Sequence, residues 1–377
     1  MRIIKSKQLI RGISIYGEIV LLILASFSPL LDRPQKALLV LVLFLYNIKY
    51  AKRATKDKWV ILGAFLMIFM ISFALDLRNV SSLIQVNILN LYFPLCVMLG
   101  FLISQKYQVD EYLYFIEKIV FVSALFSLVS VFLYTFLPDI AMSLPKYTNE
   151  HTIRRTALLF NIMTSNDGSY LVHRNMGIAW EPGAFQILLN IGLYSYLRLN
   201  NKTSLLRIVI YFMAIFFTKS TAGLLIFMLI TFNILKNDKR GRILILISFI
   251  AFGIPIFNEI LYHINNKLLG SASFSIRFDP LKDAFINGSP HIFGLGNSGF
   301  DINYRPYNKL PYDSLGQIFL RYGYFMLLLV GTRLLRLLKG YKILFFILII
   351  SFSAQNIWYL PFLTPFYFVS INKAVSR

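Results

Sequence analysis

The chain has 377 residues, of which 57% are hydrophobic and 15% charged, with a mean hydropathy of +0.65. Soluble domains carry roughly 25% charged residues, so this composition excludes an ordinary soluble enzyme, a disordered chain and a nucleic-acid-binding domain. The excess of 38 Lys and Arg over 17 Asp and Glu reads instead as the basic loops that orient a polytopic membrane protein.

A spanning helix needs about 20 mostly apolar residues. Twelve candidate spans follow in chain order, near 13–31, 37–50, 59–75, 82–103, 119–137, 184–197, 205–218, 221–235, 243–257, 315–331, 343–355 and 360–371. The last two also read as one broken re-entrant pair around Gln355–Pro361. The first run has no small-residue cleavage site after it, so it reads as a span and not a signal peptide. The lone Cys96 has no partner for an intrachain disulfide.

Charge sets the orientation. With the N-terminus inside, the inside segments are strongly basic: Arg2 to Arg11, Lys49 to Lys58, Arg198 to Arg207, Lys236 to Arg242, Arg333 to Lys342, and the tail with Lys373 and Arg377. The outside segments are nearly balanced, as the positive-inside rule requires. Trp59 then falls at the inner interface and Trp180 and Trp358 at the outer one. Two large outside loops result, about 138–183 and 258–314, on one integral membrane domain covering 1–377. Loops of that length are usually functional or disordered, and these hold all four histidines, among them His173 and His291.

The first loop ends in Arg174-Asn175-Met176-Gly177-Ile178-Ala179-Trp180-Glu181-Pro182-Gly183. Pro is tolerated in the first turn of a helix, so Glu181 stands at an outward helix N-terminus. It is either a complement to the helix dipole paired with Arg174, or a general base beside a cation. In the second loop Asp279 and Pro280 open a short helix and Asn287-Gly288 stop it. Arg277, just ahead of that helix, is a phosphate-site candidate or an interface anchor. Gly294-Leu295-Gly296-Asn297-Ser298-Gly299 is a literal G-x-G-x-x-G without the strand and helix a dinucleotide site needs, and reads as a flexible turn. Tyr304, Arg305, Tyr307, Tyr312 and Asp313 mix aromatic and polar groups suited to sugar stacking and hydrogen bonding, or to an interface belt. Within the spans, Arg321 has Gln317 on its own helix face, and an intramembrane Arg is a functional candidate or a snorkelling side chain. Glu18 is protonated or paired across the bundle. No zinc spacing, P-loop, D-x-D or G-x-S-x-G motif occurs, so metal, nucleotide and serine-nucleophile chemistry have no support.

The chain resembles the Wzy type of O-antigen or polysaccharide repeat-unit polymerase, within the O-antigen polymerase and ligase superfamily. The carrying segments are Arg174 to Gly183, Thr218-Lys219-Ser220-Thr221-Ala222-Gly223, Arg277 with Gly294-Leu295-Gly296, and Asp313-Ser314-Leu315 before Tyr322-Gly323. The resemblance implies an all-α, GT-C-like glycosyltransferase of the bacterial cytoplasmic membrane, with both termini cytoplasmic and the site facing outside. The donor and acceptor would be polyprenyl-pyrophosphate-linked oligosaccharides, with no metal or other cofactor and no nucleic acid. Membrane lipids, a chain-length regulator and a flippase are the implied partners. Arg174 and Arg277 match the family positions that stabilise the leaving pyrophosphate. Arg305 and Arg321 are further cations from the residues themselves. His173, His291, Tyr304 and Tyr312 are substrate-binding candidates. Ligases of the superfamily carry a His before an Asn where this chain has Tyr312-Asp313, which leaves Glu181 or Asp313 as base. The alternatives are an O-antigen ligase, or a transporter or flippase of lipid-linked sugars.

Reporter fusions near residues 160 and 285 are expected to read outside, and those near 54, 238 and 338 inside. A cytoplasmic signal at 285 would overturn the orientation.

Overall fold

The structure is a computed structural model. It describes residues 2–79, 89–143, 145–149, 152–157, 160–164, 174–200, 204–235, 282, 285–286, 292–304 and 313–369. The described chain is mostly helical. In order the helices are α1 (Arg2–Phe27), α2 (Arg33–Asn47), α3 (Lys56–Asn79), α4 (Leu89–Lys106), α5 (Val109–Phe136), α6 (Pro138–Ser143), α7 (Pro182–Leu199), α8 (Leu205–Phe216), α9 (Thr221–Leu235), α10 (Gly296–Tyr304), α11 (Ser314–Leu335) and α12 (Lys342–Ala354). Short 3-10 helices occupy Ile48–Arg53, Arg336–Lys339 and Thr364–Phe368.

Among the described residues, four helices are long and apolar enough to cross a membrane, at Lys56–Arg78, Leu89–Lys106, Val109–Phe136 and Ser314–Lys339. Shorter apolar helices run over Ile15–Phe27, Leu205–Phe216, Thr221–Asn233 and Lys342–Ala354. Large apolar side chains stand on the outside of these helices, including Met67, Met70, Leu91, Phe132, Phe136 and Leu328. Water would penalise such a surface; a hydrocarbon solvent does not.

The predicted spans coincide with helices wherever residues are described, except at the end. Residues 360–369 form turns and a 3-10 helix, not a span, and 243–257 lies outside the described residues. The 355–369 segment is nonetheless buried, and three side-chain hydrogen bonds tie it to α4 and α11. Ser314 Oγ donates to the Gln355 carbonyl at 2.6 Å, Thr364 Oγ1 donates to Cys96 O at 3.0 Å, and Arg333 Nε donates to Tyr367 O at 2.6 Å. Trp358 is therefore not an interface anchor. It is fully buried, with its ring against Phe69, Phe93 and Tyr322. Trp59 is half-exposed beside Phe101.

A second departure from the all-α expectation lies in the first predicted loop. Four antiparallel strands, β1 (Lys146–Asn149), β2 (Thr152–Ala157), β3 (Phe160–Thr164) and β4 (Arg174–Asn175), form one sheet in the order β1-β2-β3-β4. β-branched residues such as Thr152, Ile153 and Thr156 suit a pleated surface. In β4, Arg174 pairs with Met163 and Asn175 with Ile162.

The chain divides into two compact units. The first comprises Met1–Leu43 and Tyr107–Ile234, the second Phe44–Lys106 and Leu235–Arg377. In the first, α5 packs along α7 and α8, and Glu18 of α1 accepts a 2.6 Å bond from the Tyr107 hydroxyl. A polar partner is what a carboxylate needs at that depth.

In the second unit, α11 is broken at Gly323, where φ is 73° and ψ −166°. A side chain at that φ is strained, and a Cβ there would also collide with the Ile292 carbonyl. The break is closed by the 292–295 segment: Leu295 N–H donates to Leu320 O at 2.8 Å, and Tyr324 N–H donates to Ile292 O at 3.1 Å. The G-x-G-x-x-G run is thus a buried, hydrogen-bonded entry to α10, not a flexible turn. Its helix starts against Asp76 at the end of α3, whose Oδ1 accepts Ser298 N–H at 2.7 Å. Asp76 Oδ2 accepts from the Asn90 amide, and Asn90 Oδ1 in turn accepts from Asn297 Nδ2 at 2.6 Å.

Asp76→Ala is expected to orphan the Ser298 N–H and the Asn90 amide, at about 1–3 kcal/mol for each buried group left unpaired. The check is thermal unfolding in detergent, with the more exposed neighbour Leu77→Ala as the mild comparison.

Candidate functional site

The Arg174 to Gly183 run is held in the first unit by its own backbone polarity. Asn175 N–H donates to Phe217 O at 2.8 Å, which stitches β4 to the turn after α8. Asn175 is buried, and its amide is fully used. Nδ2 donates to Ser127 Oγ at 3.0 Å and to Ala214 O at 3.2 Å, while Oδ1 accepts Gly177 N–H at 3.1 Å. Gly177 takes φ +50° with the Phe185 ring directly beneath it, so no side chain fits and the chain reverses there. Trp180 then stacks on Phe27 with ring centroids 5.6 Å apart, and Lys36 Nζ lies 5.5 Å from the Trp180 ring.

Glu181 is the N-cap residue of α7, with Pro182 at the first helical position. Its carbonyl accepts the N–H groups of Ala184 and Phe185 at 3.2 and 3.1 Å. Its side chain does not cap the helix, and the residue is half-buried at the positive end of the α7 dipole, where negative charge is favoured.

The second resembling segment, Thr218 to Gly223, lies against the first. Arg174 Nε donates to Thr218 O at 3.0 Å and its Nη2 to Lys219 O at 3.4 Å. Lys219 is exposed and adopts φ +50°. Ser220 Oγ accepts Gly223 N–H at 3.3 Å at the start of α9, and Gly223 O accepts from Asn190 Nδ2 at 3.1 Å. Two segments whose contacting residues are 44 and 45 positions apart thus bring Arg174 and the exposed Lys219 into one cationic corner, with the buried Asn190 amide on the Gly223 carbonyl. An apolar groove of about 330 Å³ opens between α1 and α5 in the same unit. Tyr16, Val20, Ile23 and Leu24 line one side, Ile119 and Val122 the other, and Ile178 of the run forms part of its wall.

In the second unit Arg321 is buried and held on every side. Nε donates to Gln317 Oε1 at 2.8 Å, Nη1 to Asn297 Oδ1 at 2.7 Å, and Nη2 to Asp301 Oδ1 at 3.3 Å. The guanidinium lies 4.0 Å from the Phe300 ring centroid. It does not snorkel, and these partners make it part of the interior that fixes α10 to α11. Asp313 is the N-cap of α11, with Oδ1 accepting Gly316 N–H at 2.7 Å. That bond caps the helix, and burial pushes the carboxyl above the usual range against the opposing backbone N–H bonds.

Tyr304 closes α10. His173, Arg277, His291, Arg305 and Tyr312 lie outside the described residues. Of the expected 279–287 helix, Lys282, Phe285 and Ile286 are helical, and Phe285 stacks on Phe319 at 4.8 Å. Sequence reasoning passed over Lys36, Asn175 as an organiser, Lys219, and the Asp76–Asn90–Asn297 chain. A polar residue inside an otherwise apolar stretch, as at Asp76 and Asn90, was the signal available. No family model matches the chain, and no curated protein or solved structure matches it.

Because burial raises the Asp313 carboxyl, the folded state holds its proton to higher pH than the unfolded chain. Its contribution to stability is therefore complete below the ordinary carboxylate range and is lost as pH rises through the raised value. Asp313→Asn, neutral at all pH, is expected to flatten this dependence in thermal melts. Asp313→Ala also loses the cap, at about 0.5–2 kcal/mol.

Proposed function

We propose that the chain is a membrane glycosyltransferase of the Wzy type, joining polyprenyl-pyrophosphate-linked oligosaccharide repeat units on the outer face of a bacterial cytoplasmic membrane. In this reading it has a GT-C-like fold of about twelve spans. The observation that carries it is the juxtaposition in the first unit of an apolar groove with a cationic corner through one short segment. Ile178 lines the groove, Arg174 faces the turn that carries Lys219, and Glu181 starts α7. A lipid tail beside an anionic leaving group needs that combination.

The chemistry follows from the residues. The acceptor hydroxyl oxygen attacks the anomeric carbon of the donor glycan, and the bond from that carbon to the pyrophosphate oxygen breaks. The polyprenyl pyrophosphate leaves with the electron pair. Glu181 takes the hydroxyl proton. Arg174 and Lys219 offset the charge that develops on the leaving group. Fixed donors at a poorly hydrated site are effective there because they need not reorganise. Arg174 is already oriented by the Thr218 and Lys219 carbonyls, so its fork is set before substrate arrives.

A transporter reading draws on the broken helix α11, since interrupted helices build transporter sites. In this chain, Leu295 and Ile292 meet the Leu320 and Tyr324 backbone groups at the break, which favours a fixed brace over a moving binding site.

The test is polymer formation by purified protein from lipid-linked repeats. Glu181→Gln keeps the shape and removes the basicity. It is expected to bind repeats and to lose about 10²–10⁴-fold in rate, the usual worth of a general base. Wild-type rate in an amount-matched Gln variant would remove Glu181 from the chemistry. Export of unchanged repeats without any new glycosidic bond would replace the polymerase reading by the transporter one.

A further inference from the structure

Around the start of α10 the second unit gathers two carboxylates and one guanidinium. Asp76, in the last turn of α3, is fully buried. Its hydrogen-bond donors are all neutral: the Ser298 N–H on Oδ1 at 2.7 Å and the Asn90 amide on Oδ2. Arg321 is matched by Asp301 at 3.3 Å, and it reaches Asp76 only through the neutral side chains of Asn297 and Asn90. Arg333, the other buried arginine of α11, is twelve residues further along, where it bonds the Tyr367 and Val369 carbonyls. Arg78 is exposed, and among the described residues no cation forms an ion pair with Asp76. The helix end adds to the imbalance, because the last carbonyls of α3 carry negative charge of their own. A buried charge is costly unless an opposite charge compensates it.

Two hydroxyls accompany this carboxylate. Ser72 is 1% exposed and Ser298 7% exposed, and neither Oγ has a hydrogen-bond partner. Ser298 is the residue whose N–H lies on Asp76, so its hydroxyl belongs to the same first turn of α10. Ser72 is one turn before Asp76 on the same face of α3. Its hydroxyl does not turn back to its own helix carbonyls, the usual resort of a helical serine. Gly296 draws these groups together. A Cβ there would collide with Asp76 Oδ1 and lie 3.1 Å from the Ser72 carbonyl oxygen, so glycine lets α10 begin against both. One carboxylate, one carbonyl and two hydroxyls are oxygen ligands of the kind a hard cation takes. Among the described residues no three His, Cys, Asp or Glu side chains are grouped as in a divalent metal centre, and one uncompensated carboxylate balances a single positive charge.

We infer that Asp76, Ser72 and Ser298 form a binding site for a sodium ion that joins the end of α3 to the start of α10. The ion supplies the positive charge that the neutral partners of Asp76 do not. Helix C-terminal ends and backbone carbonyls hold sodium in the interiors of membrane proteins. The close approach of Gly296 to the carboxylate favours the smaller of the common monovalent ions, sodium over potassium. Leu295 N–H and Tyr324 N–H fix the chain beside the site, so the ion is a standing part of the fold and is not carried across the membrane. The site is separate from the proposed reaction, whose residues all belong to the first unit.

The experiment is equilibrium binding of radioactive sodium to the full chain in detergent, joined to thermal unfolding in sodium, potassium or N-methylglucamine chloride at constant ionic strength. The wild type is expected to bind one sodium ion per chain. Its unfolding midpoint should rise by about 2–4 °C for each fivefold increase in sodium above the dissociation constant, because the ion binds the folded state alone. Ser72→Ala removes a hydroxyl that bonds nothing else in the chain. It should melt like the wild type without sodium and bind the ion at least about tenfold more weakly. Asp76→Asn is expected to abolish binding and the sodium dependence, whereas Asp57→Asn, at the exposed start of α3, should keep both. Equal midpoints in the three salts, or wild-type sodium affinity in Ser72→Ala, would overturn the proposal. So would a midpoint that follows pH and ignores sodium, which would assign the compensating charge to a proton on Asp76.

Discussion

The break in α11 is the constraint on which the second unit is organised. Gly323 turns the chain next to the buried Arg321 and Tyr322, and the Leu320 carbonyl and Tyr324 N–H lose their helical partners there. Buried backbone groups must be paired, and the 292–295 segment supplies the partners. Once that segment is fixed, α10 must begin at Gly296. Asn297 and Asp301 then face Arg321, and Ser298 N–H meets Asp76. A single irregular residue thus determines where two carboxylates, two asparagines and one guanidinium lie in an apolar interior.

The same economy of buried polarity shapes the first unit. Arg174 and Asn175 are consecutive, and they act in opposite directions. The Asn175 side chain points into the interior to bind Ser127 and Ala214, and the Arg174 side chain reaches along the Thr218–Lys219 turn. Alternation along a strand produces this division. The inner residue holds the segment in place and the outer one braces the neighbouring turn. Gly177 and the Phe185 ring then return the chain to Glu181. The proposed base stands on a helix terminus whose position is set by packing, which is how a reactive carboxylate is held with little freedom.

Hydropathy alone located nearly every described apolar helix, because a long apolar run has few ways to satisfy its backbone except as a helix. It also placed Glu181 and Pro182 at the start of α7, Gln317 beside Arg321, and Asp313 near the start of α11, since capping chemistry and helix periodicity are local. Other features depend on partners far away in sequence, and no local signal announces them. Residues 360–369 are as apolar as a span, yet Arg333, Ser314 and Thr364 satisfy an irregular backbone there, and Trp358 is buried instead of lying at an interface. The glycine run reads as loose by composition and is rigid because Asp76 and the Leu320 carbonyl meet it. Asp313 reads as a base by chemistry and is buried by tertiary packing. The apolar pattern by itself determined where the helices are. The long-range hydrogen bonds, which join residues up to 268 positions apart as between Thr364 and Cys96, decided which polar groups are tied into the interior.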